Sequence, residues 1–180
     1  MQEVLDGFET RKGAILHKAF TGELTAKWRE EHGVSLDSWE EVRLEEVCEK
    51  IVCGKTPKEY ISKTGDIPYL KVYNIVDNKI DFEKESQFIP VNVHEGQLKS
   101  SILKPNDVVM NIVGPPLRKV AIIPDCFSEW NMNQAIVRFR VNEGLYYKFL
   151  YYALINDKFG DGFANQIEQI DYNIKNEANQ

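Results

Sequence analysis

The sequence predicts a mixed α/β fold with a helical arm at its N-terminus, and three observations carry that prediction. Residues 3–20 place apolar side chains at three-to-four spacing, the period of a helix. From Trp39 onward, short alternating or wholly apolar runs are punctuated by Gly and Pro turns, the pattern of strands. Residues 145–157 then present one apolar face, a second helix. With 180 residues, 43% of them hydrophobic, the chain can bury one domain and carry an appendage. Its Gly 11 and Pro 7 exclude a collagenous or low-complexity chain.

The arm comes first. Val4, Leu5, Phe8, Ile15, Leu16, Ala19 and Phe20 form its stripe, broken by the polar Thr10-Arg11-Lys12. At 1.5 Å per residue this rod is roughly 27 Å long. A stripe of that length requires another helix to cover it, and no partner is evident in the sequence, so Val4, Phe8, Ile15, Ala19 and Phe20, with Trp28 beyond them, are expected at an interface. Gly22 suits the left-handed position that ends the helix. Thr25 is placed to cap a second turn running to His32-Gly33, and Trp28 is expected to anchor arm against domain. The expected division is an arm over residues 1–33, a linker over 34–38 and a domain over 39–180.

Within the domain, residues 41–49 read as a short strand and helical turn, and Ile51-Val52-Cys53 runs into the glycine turn Gly54-Lys55-Thr56-Pro57. Tyr69-Leu70-Lys71-Val72-Tyr73-Asn74-Ile75 alternates as one strand, with a turn at Asp77-Asn78-Lys79 and a short return at Ile80-Asp81-Phe82. Pro105-Asn106-Asp107 has type I turn chemistry and feeds the apolar run over residues 108–113, a central strand candidate. A rigid loop, Gly114-Pro115-Pro116-Leu117-Arg118-Lys119, separates it from the strand Val120-Ala121-Ile122-Ile123. Residues 135–141 alternate again. These strands are expected in one twisted mixed sheet, and beyond residue 159 the chain turns polar and loop-like.

Catalytic hardware is not evident. His17, His32 and His94 are scattered without a Ser or Cys elbow, and no phosphate-binding or dinucleotide glycine pattern occurs. Asp107 could in principle ligate magnesium, but its turn offers a simpler role, accepting backbone N–H groups. Three cysteines, Cys48, Cys53 and Cys126, with no Cys-x-x-Cys pair, fit a reducing cytoplasm and suggest no zinc site. No stretch approaches 18 apolar residues, and the start lacks the basic flank and apolar run of a signal peptide.

The formal net charge of -6 argues mildly against a protein that coats nucleic acid, but it hides a gradient. Residues 1–42 carry 5 basic and 9 acidic side chains, residues 43–140 carry 14 and 13, and residues 141–180 carry 3 and 6. A polyanion is therefore expected at the middle segment. Gly54, Lys55 and Thr56 combine close backbone approach, a point charge and a hydroxyl, the mixture used on phosphates, and Arg118 and Lys119 add charge on a loop. Asn131, Asn133 and Gln134 precede a strand, and such amides pair bidentately with adenine in the major groove. Tyr60, Tyr69 and Tyr73 could lie against sugars or bases.

Taken together, the motifs resemble one target-recognition half of a type I restriction-modification specificity subunit. Arg11-Lys12-Gly13-Ala14-Ile15-Leu16-His17-Lys18-Ala19-Phe20-Thr21-Gly22-Glu23-Leu24-Thr25 is similar to that family's central conserved helix, with its Ala-Phe-x-Gly-x-Leu-Thr ending. Trp39 with Leu44-Glu45-Glu46-Val47-Cys48 resembles the start of a recognition domain, Glu45 standing where Gly is usual. Cys53-Gly54-Lys55-Thr56-Pro57 is similar to a Gly-Gly-x-Thr-Pro turn, with Cys53 replacing one glycine. Gly65-Asp66-Ile67-Pro68-Tyr69 through Asn74-Ile75, Leu103-Lys104-Pro105-Asn106-Asp107-Val108-Val109 and Asn133-Gln134-Ala135-Ile136 follow in family order.

The resemblance implies a twisted-sheet target-recognition domain that binds double-stranded DNA without cutting it. It implies no cofactor on this chain, S-adenosylmethionine being bound by a partner adenine methyltransferase (modification) subunit, with a restriction subunit as the other partner. The second recognition half would lie in the same subunit or in a homodimer formed through the arm. Lys71 and Asn74 join Gly54, Lys55, Thr56, Tyr60, Tyr69, Arg118, Lys119, Asn131, Asn133 and Gln134 as expected DNA contacts. The family's second conserved helix does not follow, so the chain is expected to be a piece of a larger subunit rather than a natural half-subunit. A non-reading scaffold of the same fold is the alternative.

Overall fold

The computed structural model describes residues 2–40, 42–57 and 60–156, those at 2–6 and 9 by backbone alone. The side chain of the interface candidate Val4 and the polar segment beyond residue 159 lie outside what is described. Helix α1 (Gln2–Phe20) realises the expected arm. Gly22 follows at φ 77°, a left-handed conformation that glycine adopts without strain. Helix α2 (Ala26–His32) ends where expected, on the left-handed Gly33, whose N–H reaches the carbonyls of Arg29 and Glu30. Thr25 does not cap α2; its hydroxyl donates back to the Gly22 carbonyl at 3.2 Å.

Trp28 corrects the anchor expectation. It is 53% exposed, its ring stacked on His32 at 4.4 Å rather than packed against the domain. Phe20 does make a contact with the domain, edge-on to Phe149 at 5.1 Å. Phe20 therefore has a partner within the chain, contrary to the sequence reading, whereas Phe8 and Ile15 are 62% and 57% exposed.

Helix α3 (Leu44–Val47) leads into β1 (Cys48–Cys53). Next come β2 (Ile67–Leu70), β3 (Ile75–Val76), β4 (Lys79–Ile80), β5 (Phe88–Ile89) and α4 (Val91–Glu95). The chain continues through β6 (Val108–Asn111), β7 (Val120–Ile122), β8 (Asn131–Met132), β9 (Ile136–Val141) and α5 (Tyr147–Ile155). Among the described residues the expected single sheet is divided into three. A four-stranded antiparallel sheet runs β1-β9-β6-β7, a three-stranded one runs β5-β2-β8 with β2 and β8 parallel, and β3-β4 is a hairpin.

The predicted strand through Tyr69 and Ile75 is also divided. Asn74 is buried and its Oδ1 accepts the Lys71 N–H at 3.0 Å, closing a 3-10 turn at Val72–Asn74 that breaks the extended backbone. The run from Val108 stops as strand at Asn111, leaving Ile112 and Val113 to the following loop. Asp77 and Asn78, at φ 49° and 59°, form the left-handed pair that joins β3 to β4.

The four-stranded sheet is covered on both faces, so β6 is buried at every position and reads as an apolar run up to its last residue, Asn111. Val108 and Met110, with Val137 and Phe139 of β9, face Leu150 and Leu154 of α5. Val109 and Ile136 point the other way, onto Leu70, Ile75, Met132 and Trp130. Trp130 is wholly buried between the rings of Phe82 and Phe127, at 5.1 and 5.0 Å, and its indole N–H reaches the Pro124 carbonyl.

An ion pair is built into this core. Asp107 accepts the Lys104 N–H at 2.7 Å, as its turn chemistry predicts, and also takes a bidentate pair from Arg140, Nε to Oδ1 at 2.7 Å and Nη2 to Oδ2 at 2.6 Å. Those hydrogen bonds push the Arg140 pKa up, while burial and the neighbouring Arg140 charge pull that of Arg138 down. Arg138 donates from Nη1 to the Ile102 carbonyl at 2.5 Å. Asp107→Ala strands a partly buried guanidinium and is expected to cost about 3 kcal/mol or more. The double variant Asp107→Ala/Arg140→Met should lose less than the two single variants combined, and urea unfolding of all three measures it.

Candidate nucleic-acid interface

Topology brings most of the expected contact loops to one end of the fold. Because the four-stranded sheet is antiparallel, β1 and β6 finish at the end where β7 and β9 begin. The parallel pair β2 and β8 also finishes there, since the Asn133 N–H meets the Leu70 carbonyl at 3.0 Å. The convergence point is the turn over residues 133–136, closed by the Ile136 N–H on the Asn133 carbonyl at 3.1 Å. Gly54 donates to Ile136, Lys55 to Met132 and Ile112 to Ala135. Two loops and one strand exit are thereby tied to a single stretch of backbone.

Gly54 earns its place by packing. A Cβ there would lie inside van der Waals contact with the carbonyl oxygens of Met132 and Asn133, so its close approach is to this turn and not to a phosphate. Lys55 and Thr56 follow it on the surface. The Thr56 hydroxyl donates to Oε1 of exposed Gln134, across 78 residues of sequence. Beneath them Tyr69 is wholly buried, its hydroxyl on the Lys55 carbonyl at 2.9 Å and Thr56 Oγ1 at 3.2 Å. Burial pushes the Tyr69 phenol up to about 12, so it remains a hydrogen-bond donor throughout the neutral range.

Three amide and phenol side chains expected on DNA are spent inside the fold. Tyr69 is one. Asn74 is another, bonded to Lys71 N and to the carbonyls of Asp81 and Glu85. Asn131 is the third, wholly buried, with Nδ2 on His94 Nδ1 and the Leu98 carbonyl and Oδ1 accepting the Met132 N–H. An amide satisfied on both sides by buried groups cannot reach a base edge. His94 is buried in α4 and bridges Asn131 to Glu129 Oε2 at 3.0 Å.

Among the remaining candidates, Lys71 and Asn133 are half-buried at the exits of β2 and β8. Arg118, at φ 64°, and Lys119 are half-buried where the loop over residues 112–119 returns. Lys119 faces Asn111, two strand spacings or about 10 Å from Ile136. Tyr60 is exposed, beyond the described part of the first loop.

Sequence reasoning missed Asn111. It is buried at the end of β6; its Nδ2 donates to the carbonyls of Val113, Gly114 and Pro116 while its Oδ1 accepts the Lys119 N–H at 2.7 Å. One side chain thus holds both ends of the basic loop, and the signal was a lone amide closing an otherwise apolar run. Among the described residues no group of three or more His, Cys, Asp and Glu could hold a metal ion, and no helix is long and apolar enough to cross a membrane.

An antiparallel sheet covered on both faces, with basic and amide-bearing loops gathered at one end, defines a recognition module on a helical arm. The chain belongs to the type I restriction modification DNA specificity domain family, whose model matches residues 37–176. Solved structures agree on the fold. The S subunit of a type I restriction-modification system from M. genitalium is 15% identical, with a TM-score of 0.56 over 97% of this chain and 39% of that one. The HsdS subunit from Thermoanaerobacter tengcongensis is 14% identical, with a TM-score of 0.50 over 87% and 38%. A chain from a type I R-M system studied for complex assembly and conformational transition is 15% identical, with a TM-score of 0.51 over 86% and 37%. This chain therefore spans less than two-fifths of the length of each. No curated protein sequence matches it.

Replacing Gly54 tests whether the turn is the fulcrum of this end. Gly54→Ala should destabilise the chain by about 1 to 3 kcal/mol through overpacking, read as a lower urea midpoint. Amide exchange should quicken at Lys55 and Ile136 beyond the rest of the sheet.

Proposed function

We propose that this chain reads one half of a bipartite site on double-stranded DNA and directs partner adenine methyltransferase and restriction subunits to it. The observation that supports this most is the meeting of exposed Lys55, Thr56 and Gln134 at the end where Lys71, Arg118 and Lys119 also emerge, in a chain of the DNA specificity family. Phosphate contacts fall to the cations and base readout to Gln134 and Asn133. The chain itself is no enzyme and binds no cofactor. S-adenosylmethionine belongs to the methyltransferase partner, and the complex works in the cytoplasm.

Lys55→Ala and Lys119→Ala should each weaken binding about equally for all sequences and reduce the salt slope by about one unit, measured by fluorescence anisotropy at several salt concentrations. Gln134→Ala should instead change sequence preference, a good bidentate contact being worth about 1 to 3 kcal/mol. Loss of specificity with an unchanged slope on altering the lysines would assign them to base edges.

The arm is proposed to pair with the second recognition half, in the same subunit or in a second copy. Its exposed Phe8 and Ile15 carry that surface, with Ala19 half-buried. Phe8→Glu/Ile15→Glu should abolish self-association in sedimentation over a wide concentration range and leave the thermal transition of the domain in place. Undiminished oligomerisation would move the interface to the domain.

A further inference from the structure

We infer that Thr56 and Tyr69 are positioning residues for Gln134, and that together they present its amide to DNA as a hydrogen-bond donor. The inference rests on the DNA-reading function proposed above and goes beyond it by assigning the orientation of the reading group.

The polar groups at the turn form a directed chain. Tyr69 has no solvent exposure, and its hydroxyl lies within reach of both the Lys55 carbonyl and Thr56 Oγ1. A carbonyl oxygen only accepts, so the single Tyr69 hydroxyl proton is shared between the Lys55 carbonyl and Thr56 Oγ1, which leaves the Thr56 proton to be donated onward. The Thr56 hydroxyl in turn donates to Gln134 Oε1. With its oxygen engaged by the protein, Gln134 has its Nε2 amide group left to offer, on an exposed side chain at the end of the fold where the loops converge.

That orientation has a consequence for the base it meets. Bidentate reading of adenine uses an amide oxygen to accept from N6 and an amide nitrogen to donate to N7. An amide whose oxygen is held by Thr56 is better matched to an edge made of acceptors, and guanine presents N7 and O6 side by side in the major groove. Gln134 therefore favours guanine at its position, and freeing its oxygen moves the preference toward adenine.

The backbone makes the pairing rigid enough to matter. Thr56 is two residues from Gly54, which is locked against residues 132 and 133, and Gln134 lies inside the turn closed between Asn133 and Ile136. Both partners are held by the same peptide units, so their contact needs no loop rearrangement to form.

The test compares the full chain with its Thr56→Val, Thr56→Ser, Tyr69→Phe and Gln134→Ala variants, each selecting from a randomised duplex pool. Thr56→Val should lower the preference for guanine over adenine at one position by about tenfold, at the same position that Gln134→Ala affects, and Thr56→Ser should restore it. Thr56→Val combined with Gln134→Ala should do no more than Gln134→Ala alone. The side-chain amide NMR signal of Gln134 in the DNA-free chain should move in Thr56→Val and Tyr69→Phe and return in Thr56→Ser. If the parent chain selects a sequence and Thr56→Val leaves it unchanged, or lowers affinity for every sequence alike, the positioning role is overturned while DNA reading stands. If the parent selects no sequence from the pool, DNA reading falls, and the positioning role falls with it.

Discussion

The turn over residues 133–136 is the constraint on which the candidate interface depends. Its backbone groups, with those of Met132, receive Gly54, Lys55 and Ile112 and give the Asn133 N–H to Leu70. Each such bond is modest in net energy, about 1 kcal/mol. Their effect lies in number and placement, because four segments distant in sequence are registered against one another within a few residues. Glycine at position 54 is the steric condition for this arrangement, since any side chain would occupy the space of the carbonyls it packs on.

Buried polar side chains divide into two groups that serve the two ends of the fold. At the loop end, Asn111, Asn74 and Asn131 hold backbone that has left regular pairing, each satisfying N–H or carbonyl groups that no strand can reach. At the opposite end, Asp107 and Arg140 close the turn into β6 against β9. The second arrangement places full charges in the core and gains its strength from bidentate geometry. The first uses neutral amides, whose donor and acceptor pairs match the peptide group. Neither is conspicuous as composition, because a satisfied amide and a solvent-facing one are the same letter.

That equivalence explains which parts of the fold were legible in the sequence. The run from Val108 was readable as a central strand because burial on both faces leaves no polar position between Val108 and Met110. The arm and α5 were readable because their apolar spacing is helical. The segment from Tyr69 to Ile75 alternates as well, yet one hydrogen bond from the Lys71 N–H to the Asn74 side chain turns it out of the strand, and side-chain to backbone bonding leaves no mark on hydropathy. The grouping of residues 54–57 with residues 133 and 134 was likewise accessible only as two separate loops, since 78 residues lie between Thr56 and Gln134. Asn131 and Gln134 carry the same chemistry three residues apart, and only their burial separates a core amide from a surface one.

The placement of charge completes the physical picture. The chain is acidic at -6, yet its acidic excess lies in the arm and the C-terminal segment, while residues 43–140 are almost balanced. Within that segment two of the cations, Arg138 and Arg140, are turned inward onto Ile102 and Asp107, which leaves the surface of the domain less basic than its composition. A module with so little positive field gains little from non-specific attraction to a polyanion. The proposed contact with DNA would then depend on geometry, on a few cations at loop ends and on amides held by neighbouring groups. Under the proposed DNA-reading function, such a charge distribution favours weak binding alone with strong dependence on local fit, and the burden of selectivity would rest on the hydrogen-bonded turn that carries Gln134.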